Sequence, residues 1–392
     1  MSTKKSFRLF PAYSNRMIFL GAFFLSIYGT FMIVSAEMSR DAGGNAVIIR
    51  SFIKQFIFLA VGIALMSFLA RIRIMRLPKR LFMIGYLVIG AVMFSCRLFR
   101  PLGGAYAWIQ IGGFTLQPSE FAKFYIIAML ARYLQDEGNH EYNRKVFRQM
   151  IFASLVYGFI IVAVQHDFGS GLVLLGICYI MLLTSRLPGC REYRFWMFVL
   201  FAIGIVFALF ILSPIGTSLL MKLGENDYRI GRFLASANPF LDPYNTGFHL
   251  IMGLVSFANG GWFGMGYGNS IHKYMNFPNP SSDFILPVII EEMGVVFGLI
   301  PIVLMYTMII VPIVRYSLKV ESERSKLILI GTFMYFILHI ILNMGGVSGL
   351  IPLTGVPLLL LSSGGSSMIA SLAALGLAQS EIIQYRKTVE NA

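Results

Sequence analysis

The stretch MIFLGAFFLSIYGTFMIVSA, Met17–Ala36, contains no charged side chain. An apolar run of about 18 residues or more is long enough to cross the hydrocarbon core of a bilayer as a helix. It follows the basic segment Met1–Arg16. The apolar run is too long for the core of a signal peptide, and no clear small-residue cleavage site follows. It reads as a retained first membrane helix. Working outward, similar runs recur to the end of the chain. The 392 residues are 57% hydrophobic and only 13% charged. An ordinary soluble domain carries about 25% charged residues, so too little polar surface exists here to cover a large soluble core. The fold class is therefore all-α, a polytopic membrane protein of about ten helices.

The expected spans are Met17–Ala36, Phe52–Ala70, Leu81–Cys96, Pro118–Leu134, Met150–Val164, Gly169–Thr184, Phe195–Leu220, Phe284–Val314, Leu327–Met344 and Val356–Ile382. The fifth and sixth are short and separated only by Gln165, His166 and Asp167, so a re-entrant hairpin is the alternative there. The eighth is long and carries Glu291 and Glu292, which suits a helix that is tilted, kinked or partly outside the bilayer. One membrane domain, residues 1–392, is expected, with a large connection at 222–283 inside it.

The net charge of +14 could suggest nucleic acid. Its distribution argues otherwise. Lysines and arginines cluster before the first span, between the second and third, fourth and fifth, after the sixth and eighth, and at the end of the chain. With about ten spans these all fall on one side, which the positive-inside rule makes the cytoplasm. Both chain ends lie there, and the basic excess is a topology signal rather than a nucleic-acid surface. Cys96, Cys178 and Cys190 show no metal-binding or redox spacing and read as buried apolar side chains.

Three segments fall on the outer side: Arg97–Ser119, Lys222–Asp283 and Gly345–Gly355. The second runs for roughly sixty residues, a length that usually signals function or disorder. Its aromatic and aliphatic content argues against disorder. Asp283 ends it, in NPSSDFILPVIIEEMG. A carboxylate at a helix start can simply cap the helix. It can equally serve as a general base, since desolvation beside an apolar helix strengthens it. Glu291 and Glu292, adjacent carboxylates in an apolar helix, need partners or a water-filled cavity. On a continuous helix Asp283 and Glu291 fall within roughly 80° of each other, with Glu292 further round. An ion pair with an arginine that joins helices is the plain structural reading for one of the two.

Arg229 and Arg232, in YRIGRF, are three residues apart and share one face of any helix there. Two guanidinium forks suit a phosphate or pyrophosphate, although a solvated basic face reads equally well. Lys273 is a third candidate phosphate ligand. QPSEFAK, Gln117–Lys123, opens the fourth span; Glu120 and Lys123 can pair on one helix face. Asp167 lies on the short QHDFG turn. Asn343 and LSSGGSS, Leu361–Ser367, put polar and small residues into apolar helices, usually a sign of close packing. No P-loop, nucleotide, haem or zinc signature and no GxSxG turn is present.

GGAYAWIQIGGFTLQPSEFAK, QHDFGSG, YRIGRF, NPFLDPYNTGFHL, GGWFGMGYGNSIHKYMNFP, SSDFILPVIIEEMG and NMGGVSGLIPLTGVPLLLLSSGGSS follow one another along the chain. In content and order they resemble the SEDS family of bacterial membrane proteins, the FtsW/RodA/SpoVE group that acts in cell shape, division and sporulation. The resemblance implies a ten-helix peptidoglycan glycosyltransferase that polymerises lipid II. It implies that Asp283 is the essential acid, deprotonating the 4-hydroxyl of the acceptor sugar while undecaprenyl pyrophosphate leaves. Arg229, Arg232 and Lys273 would then stabilise the leaving group. Glu120 and Lys123 would line the same cavity, and Trp108, Asp167 and Glu292 would complete the substrate site. Implied partners are lipid II, the growing glycan strand, membrane lipids and a class B penicillin-binding protein, with no nucleic acid. No cofactor is implied with certainty, and a divalent cation beside the pyrophosphate is compatible with the chemistry.

The chain departs from the family pattern at several places. Tyr106 and Ala107 precede Trp108 where many members carry an arginine, and Asn279, Pro280 and Ser281 replace a usual Glu-x-His. His249 and His339 stand where glutamines are frequent. A flippase for lipid-linked precursors and a non-catalytic scaffold for a transpeptidase are the competing readings. A transporter favours broken helices and charges near the bilayer midplane.

Overall fold

The computed structural model describes residues 11–38, 45–111, 114–136, 138–213, 238–245, 247–275 and 280–391, with isolated positions between 215 and 236. Among the described residues the helices are α1 (Arg16–Glu37), α2 (Asn45–Arg71), α3 (Lys79–Ser95), α4 (Pro118–Tyr133), α5 (His140–Phe159), α6 (Phe168–Thr184), α7 (Arg191–Leu212), α8 (Phe248–Gly260), α9 (Ile285–Gly294), α10 (Ile300–Lys319), α11 (Glu323–Val347) and α12 (Gly365–Glu390). Two short strands, β1 (Ile109–Ile111) and β2 (Phe114–Leu116), pair antiparallel with Gln110 opposite Thr115.

Eight helical stretches among the described residues are long and apolar enough to cross a membrane, α9 and α10 counting as one run, Ile285–Lys319. Of the other expected spans, α4 has 16 residues and α6 has 17, short of the usual length of about 20. Both are packed inside the bundle. The fifth segment is longer than its apolar core. Asn139 accepts hydrogen bonds from the backbone of Glu141 and Tyr142, so the helix starts at His140 and runs through a π turn to Val164. That 25-residue run can cross alone, which removes the hairpin alternative.

The bundle closes at its ends and through small residues. Asn15 caps α1, accepting from Met17 N at 2.9 Å. Its own backbone N–H and C=O are taken by the Gln379 side chain of α12 at 2.9 and 2.8 Å. A Cβ on Gly21 would sit 2.9 Å from the Met305 carbonyl of α10, and one on Gly376 would sit 2.8 Å from the Met66 carbonyl of α2. Close backbone approach of this kind is how membrane helices gain packing energy. The helix α12 is almost wholly enclosed, whereas α7 exposes its apolar side chains all round. The three cysteines are buried and unbonded.

Two expected spans are not continuous helices. The run Phe284–Val314 breaks at Gly294, whose φ is +67°. The backbone groups freed there are taken by the connection after α8: Met265 N donates to Glu291 O, Gly266 N to Glu292 O, and Val296 N to Trp262 O, at 2.8–2.9 Å. Only glycine fits, because a Cβ on Gly294 would lie 2.5 Å from the Trp262 carbonyl oxygen. The last span begins at Gly365, not Val356. Residues 351–364 enter the protein without forming a helix, with Leu358 to Leu361 buried and Leu360 at φ +66°. Buried irregular backbone needs hydrogen-bond partners from the surrounding protein. Here Asn343 donates to Val356 O at 2.8 Å and the Tyr306 hydroxyl to Leu359 O at 2.7 Å.

Gly294→Val should therefore lower stability by about 2 kcal/mol or more through strain and overpacking. Gly204→Val, at a site in α7 where a Cβ meets nothing within 4 Å, is the control and should change little. Thermal unfolding of the two detergent-solubilised variants makes the comparison, and equal unfolding temperatures would contradict the account of the break.

Candidate active site

Asp283 is half-buried in the turn before α9. The N-cap position of α9 is Phe284, so the helix does not start on Asp283, and the angular relation to Glu291 expected of one continuous helix does not hold. Three pieces of chain meet at Asp283. Ser282 Oγ donates to Asp283 Oδ1 at 2.7 Å. Asn343 of α11 donates to the Asp283 carbonyl at 2.8 Å. Gly355, at φ +70°, brings its backbone so close that a Cβ there would lie 3.8 Å from Asp283 Oδ2. One residue back, Ser281 is held by Ser363, whose N–H donates to Ser281 O at 2.7 Å. Ser281, Asn343 and Ser363 thus join motifs distant in sequence around one acid.

The neighbouring carboxylates are committed elsewhere. Glu292 takes the Lys273 ammonium at 2.6 Å and the Ser35 hydroxyl of α1 at 2.7 and 2.6 Å, while Lys273 also donates to Ser35 at 3.0 Å. Both charged side chains are fully buried. The helix-joining ion pair therefore forms, but its cation is Lys273 rather than an arginine. Lys273, read from the sequence as a phosphate ligand, lies in the interior instead. Glu291 faces His272 Nδ1 at 2.6 Å and accepts from Ser270 Oγ, with Asn259 Nδ2 at 3.4 Å. These contacts rivet the connection after α8 onto α9 just before its break.

A second buried pair lies in α4. Lys123 Nζ is 2.6 Å from Glu120 Oε1, both fully enclosed, and Tyr335 donates to Glu120 Oε2 at 3.0 Å. The Lys123 ammonium also lies 3.4 Å from His339 Nε2, and His339 Nδ1 lies 2.9 Å from the Pro357 carbonyl. Through Tyr335 and His339 the Glu120–Lys123 pair is tied to α11. Gln117 donates to Asp167 Oδ2 at 2.9 Å, and Asp167 Oδ1 caps α6 through Ser170 N at 3.0 Å. Trp108 is half-buried beside β1. Its neighbour Tyr106 stacks under the Arg97 guanidinium, 4.0 Å from the ring centre. Arg229 and Arg232 lie outside the described residues. Among the described residues no group of three His, Cys, Asp or Glu side chains is placed to hold a metal ion.

The sequence did not single out Ser35, His272 or Tyr335. Ser35 carries no signal, being one small polar residue in an apolar helix. His272 and Tyr335 are polar groups whose partners are themselves buried carboxylates, and such carboxylates require donors. Removing one member of a buried pair leaves the other charge uncompensated, at a cost of about 3–5 kcal/mol. Lys273→Met should destabilise by that order, and Glu292→Gln added to it should restore a large part. A thermal-unfolding double-mutant cycle reads the coupling, and strict additivity would refute it.

The family model described as "Cell cycle protein", covering FtsW, RodA and SpoVE, matches residues 15–387. Stage V sporulation protein E of Bacillus subtilis (strain 168) is 32% identical over 277 residues, 70% of each chain. The probable peptidoglycan glycosyltransferase FtsW of the same organism is 30% identical over 393 residues, 98% of this chain and 94% of that one. The fold is similar to that of rod shape determining protein RodA of Thermus thermophilus, with a TM-score of 0.60 at 23% identity over 97% of this chain and 99% of that chain. It is also similar to a chain of a peptidoglycan synthase complex described for coordinated polymerization and crosslinking, with a TM-score of 0.72 at 24% identity over 96% and 99%. With a family match spanning nearly its whole length, the chain belongs to the FtsW/RodA/SpoVE family of cell cycle proteins.

Proposed function

We propose that the chain is a peptidoglycan glycosyltransferase that polymerises lipid II at the outer face of the cytoplasmic membrane. The observation that carries the reading is the half-buried Asp283 carboxylate, held where the α9 turn, α11 and the segment around Gly355 converge. Family membership and relatives named probable peptidoglycan glycosyltransferase support it. Asp283 takes the proton from the acceptor 4-hydroxyl as that oxygen attacks the anomeric carbon of the donor. The bond from that carbon to the pyrophosphate oxygen breaks, and undecaprenyl pyrophosphate departs with its charge facing Arg229 and Arg232. Trp108 and Asp167 flank the sugars. Lys273 and Glu292 act by holding the outer connection, since their charges are matched to each other.

The partner is a class B penicillin-binding protein that crosslinks the product, as suits a fold similar to a chain of a complex coordinating polymerization and crosslinking. Both chain ends lie in the cytoplasm. Single cysteines introduced beside Tyr13 and near Glu390, in a variant lacking the native cysteines, should react with an impermeant maleimide only after the cells are opened. Labelling of intact cells would reverse the topology.

The break at Gly294 gives the flippase reading one point in its favour, because transporters use broken helices. Against it, the freed backbone groups and the carboxylates at the break are filled by the protein's own connection. One experiment weighs the two. Purified protein, with and without its transpeptidase partner, receives labelled lipid II, and Asp283→Asn is compared. The substitution should lower polymerisation by about 100-fold or more. Polymer from the Asn variant at the unsubstituted rate would remove Asp283 as base. Precursor flipping with no polymer under any condition would establish the transporter.

A further inference from the structure

His339 and Asn343 are four residues apart on α11 and so face the same way. They grip two consecutive carbonyls of the buried non-helical segment: Pro357 O by His339 Nδ1 at 2.9 Å and Val356 O by Asn343 Nδ2 at 2.8 Å. Each has a second attachment. Asn343 Nδ2 also donates to the Asp283 carbonyl at 2.8 Å. His339 Nε2 lies 3.4 Å from the Lys123 ammonium. An ammonium can only donate. The imidazole nitrogen facing it therefore accepts, and Nδ1 carries the proton given to Pro357 O. This tautomer links both ends of the bridge at once.

The result is a chain of hydrogen bonds joined through the backbone of Val356 and Pro357. Tyr335 donates to Glu120, and Glu120 holds Lys123; Lys123 orients His339; His339 fixes Pro357; Asn343 ties the adjacent Val356 to Asp283. Gly355, next along, is the residue whose backbone approaches the Asp283 carboxylate. His339 and Asn343 are both buried, so water does not compete for these groups. An apolar side chain of similar size would fill the same space and leave two buried carbonyls without their donors.

We propose that His339 and Asn343 form a positioning clamp that sets Asp283 relative to its substrate by referring it to the buried Glu120–Lys123 pair. Neither touches the reacting atoms. The inference rests on the reading of Asp283 as the base. Misplacement of a reacting group by about 1 Å can cost 100-fold in rate, so the effect of loosening the clamp belongs in kcat. A glutamine at 339 can accept from Lys123 through its oxygen and donate to Pro357 through its nitrogen. An asparagine there has the same groups on too short a stem to span both.

The test uses the purified full-length protein with its transpeptidase partner and labelled lipid II. The variants are His339→Gln, His339→Asn, Asn343→Leu and Asp283→Asn. His339→Asn and Asn343→Leu are expected to lower kcat by about 10- to 100-fold with KM changed less than about threefold. His339→Gln is expected within about threefold of the unsubstituted kcat, and His339→Asn to unfold thermally close to His339→Gln. Equal kcat for the Asn and Gln variants at 339 overturns the clamp. So does a loss in His339→Asn matched by an equal loss in His339→Gln, since that marks a purely structural histidine. Asp283→Asn separates the two claims. If it is inactive while His339→Asn equals His339→Gln, the clamp falls and the base survives. If it is active while His339→Asn is impaired, the base assignment falls and the clamp positions another group.

Discussion

A buried peptide carbonyl needs a donor, and from 351 to 364 this chain has no helix to provide one. Each group left without a partner would cost several kcal/mol. The surrounding elements are arranged to meet that demand. Tyr306 reaches in from α10, His339 and Asn343 from α11, and the Ser362 hydroxyl turns back to accept from Leu358 N at 2.9 Å. The Leu360 carbonyl passes so near α1 that only glycine fits at position 29. α12 can begin only where this segment ends. The same segment brings Gly355 and Ser363 against the turn that holds Asp283. The irregular stretch is thus the frame on which the acid is mounted.

The buried charges follow a related logic. Two ion pairs, Glu120–Lys123 and Glu292–Lys273, are fully enclosed. Such pairs often contribute little net stability compared with apolar packing. Their value here is in specifying position. Glu292 meets α1 through Ser35 and the connection after α8 through Lys273, so the chain just before the break at Gly294 is pinned to both. Glu120 and Lys123 similarly tie α4 to Tyr335 and His339 of α11.

Much of this was legible from residue types alone. The charge-free run Met17–Ala36 became α1 nearly unchanged, because one uninterrupted apolar stretch has one stable solution in a bilayer. The adjacent Glu291 and Glu292 called for partners or a water-filled cavity, and both have partners. Their identity was not readable: His272 and Lys273 sit in a Gly-rich connection whose path is set by tertiary contacts. A kink in this run was expected from Glu291 and Glu292, but its place at Gly294 was not readable, because glycine is common in membrane helices and the apolar run continues past it. Val356–Leu361 misled for a different reason. Hydropathy measures what a segment is buried in, not the backbone it adopts, and a short leucine run satisfies either form. Glu120 and Lys123 pair as their spacing allows, but their complete enclosure depends on the packing of the whole bundle.

The clasp between Asn15 and Gln379 joins residues 364 positions apart. It bears on how such a chain is made. Synthesis runs from the amino end, so α1 enters the membrane long before its partner has been translated. Through most of biogenesis the start of α1 and the Ser35 hydroxyl are without the groups that complete them, since Glu292 follows Ser35 by 257 positions. Helices can insert one by one, yet the turn bearing Asp283 gains its supports only after the segment before α12 has emerged. Maturation of the site is therefore a late event at the membrane, falling after translation has passed the last loop.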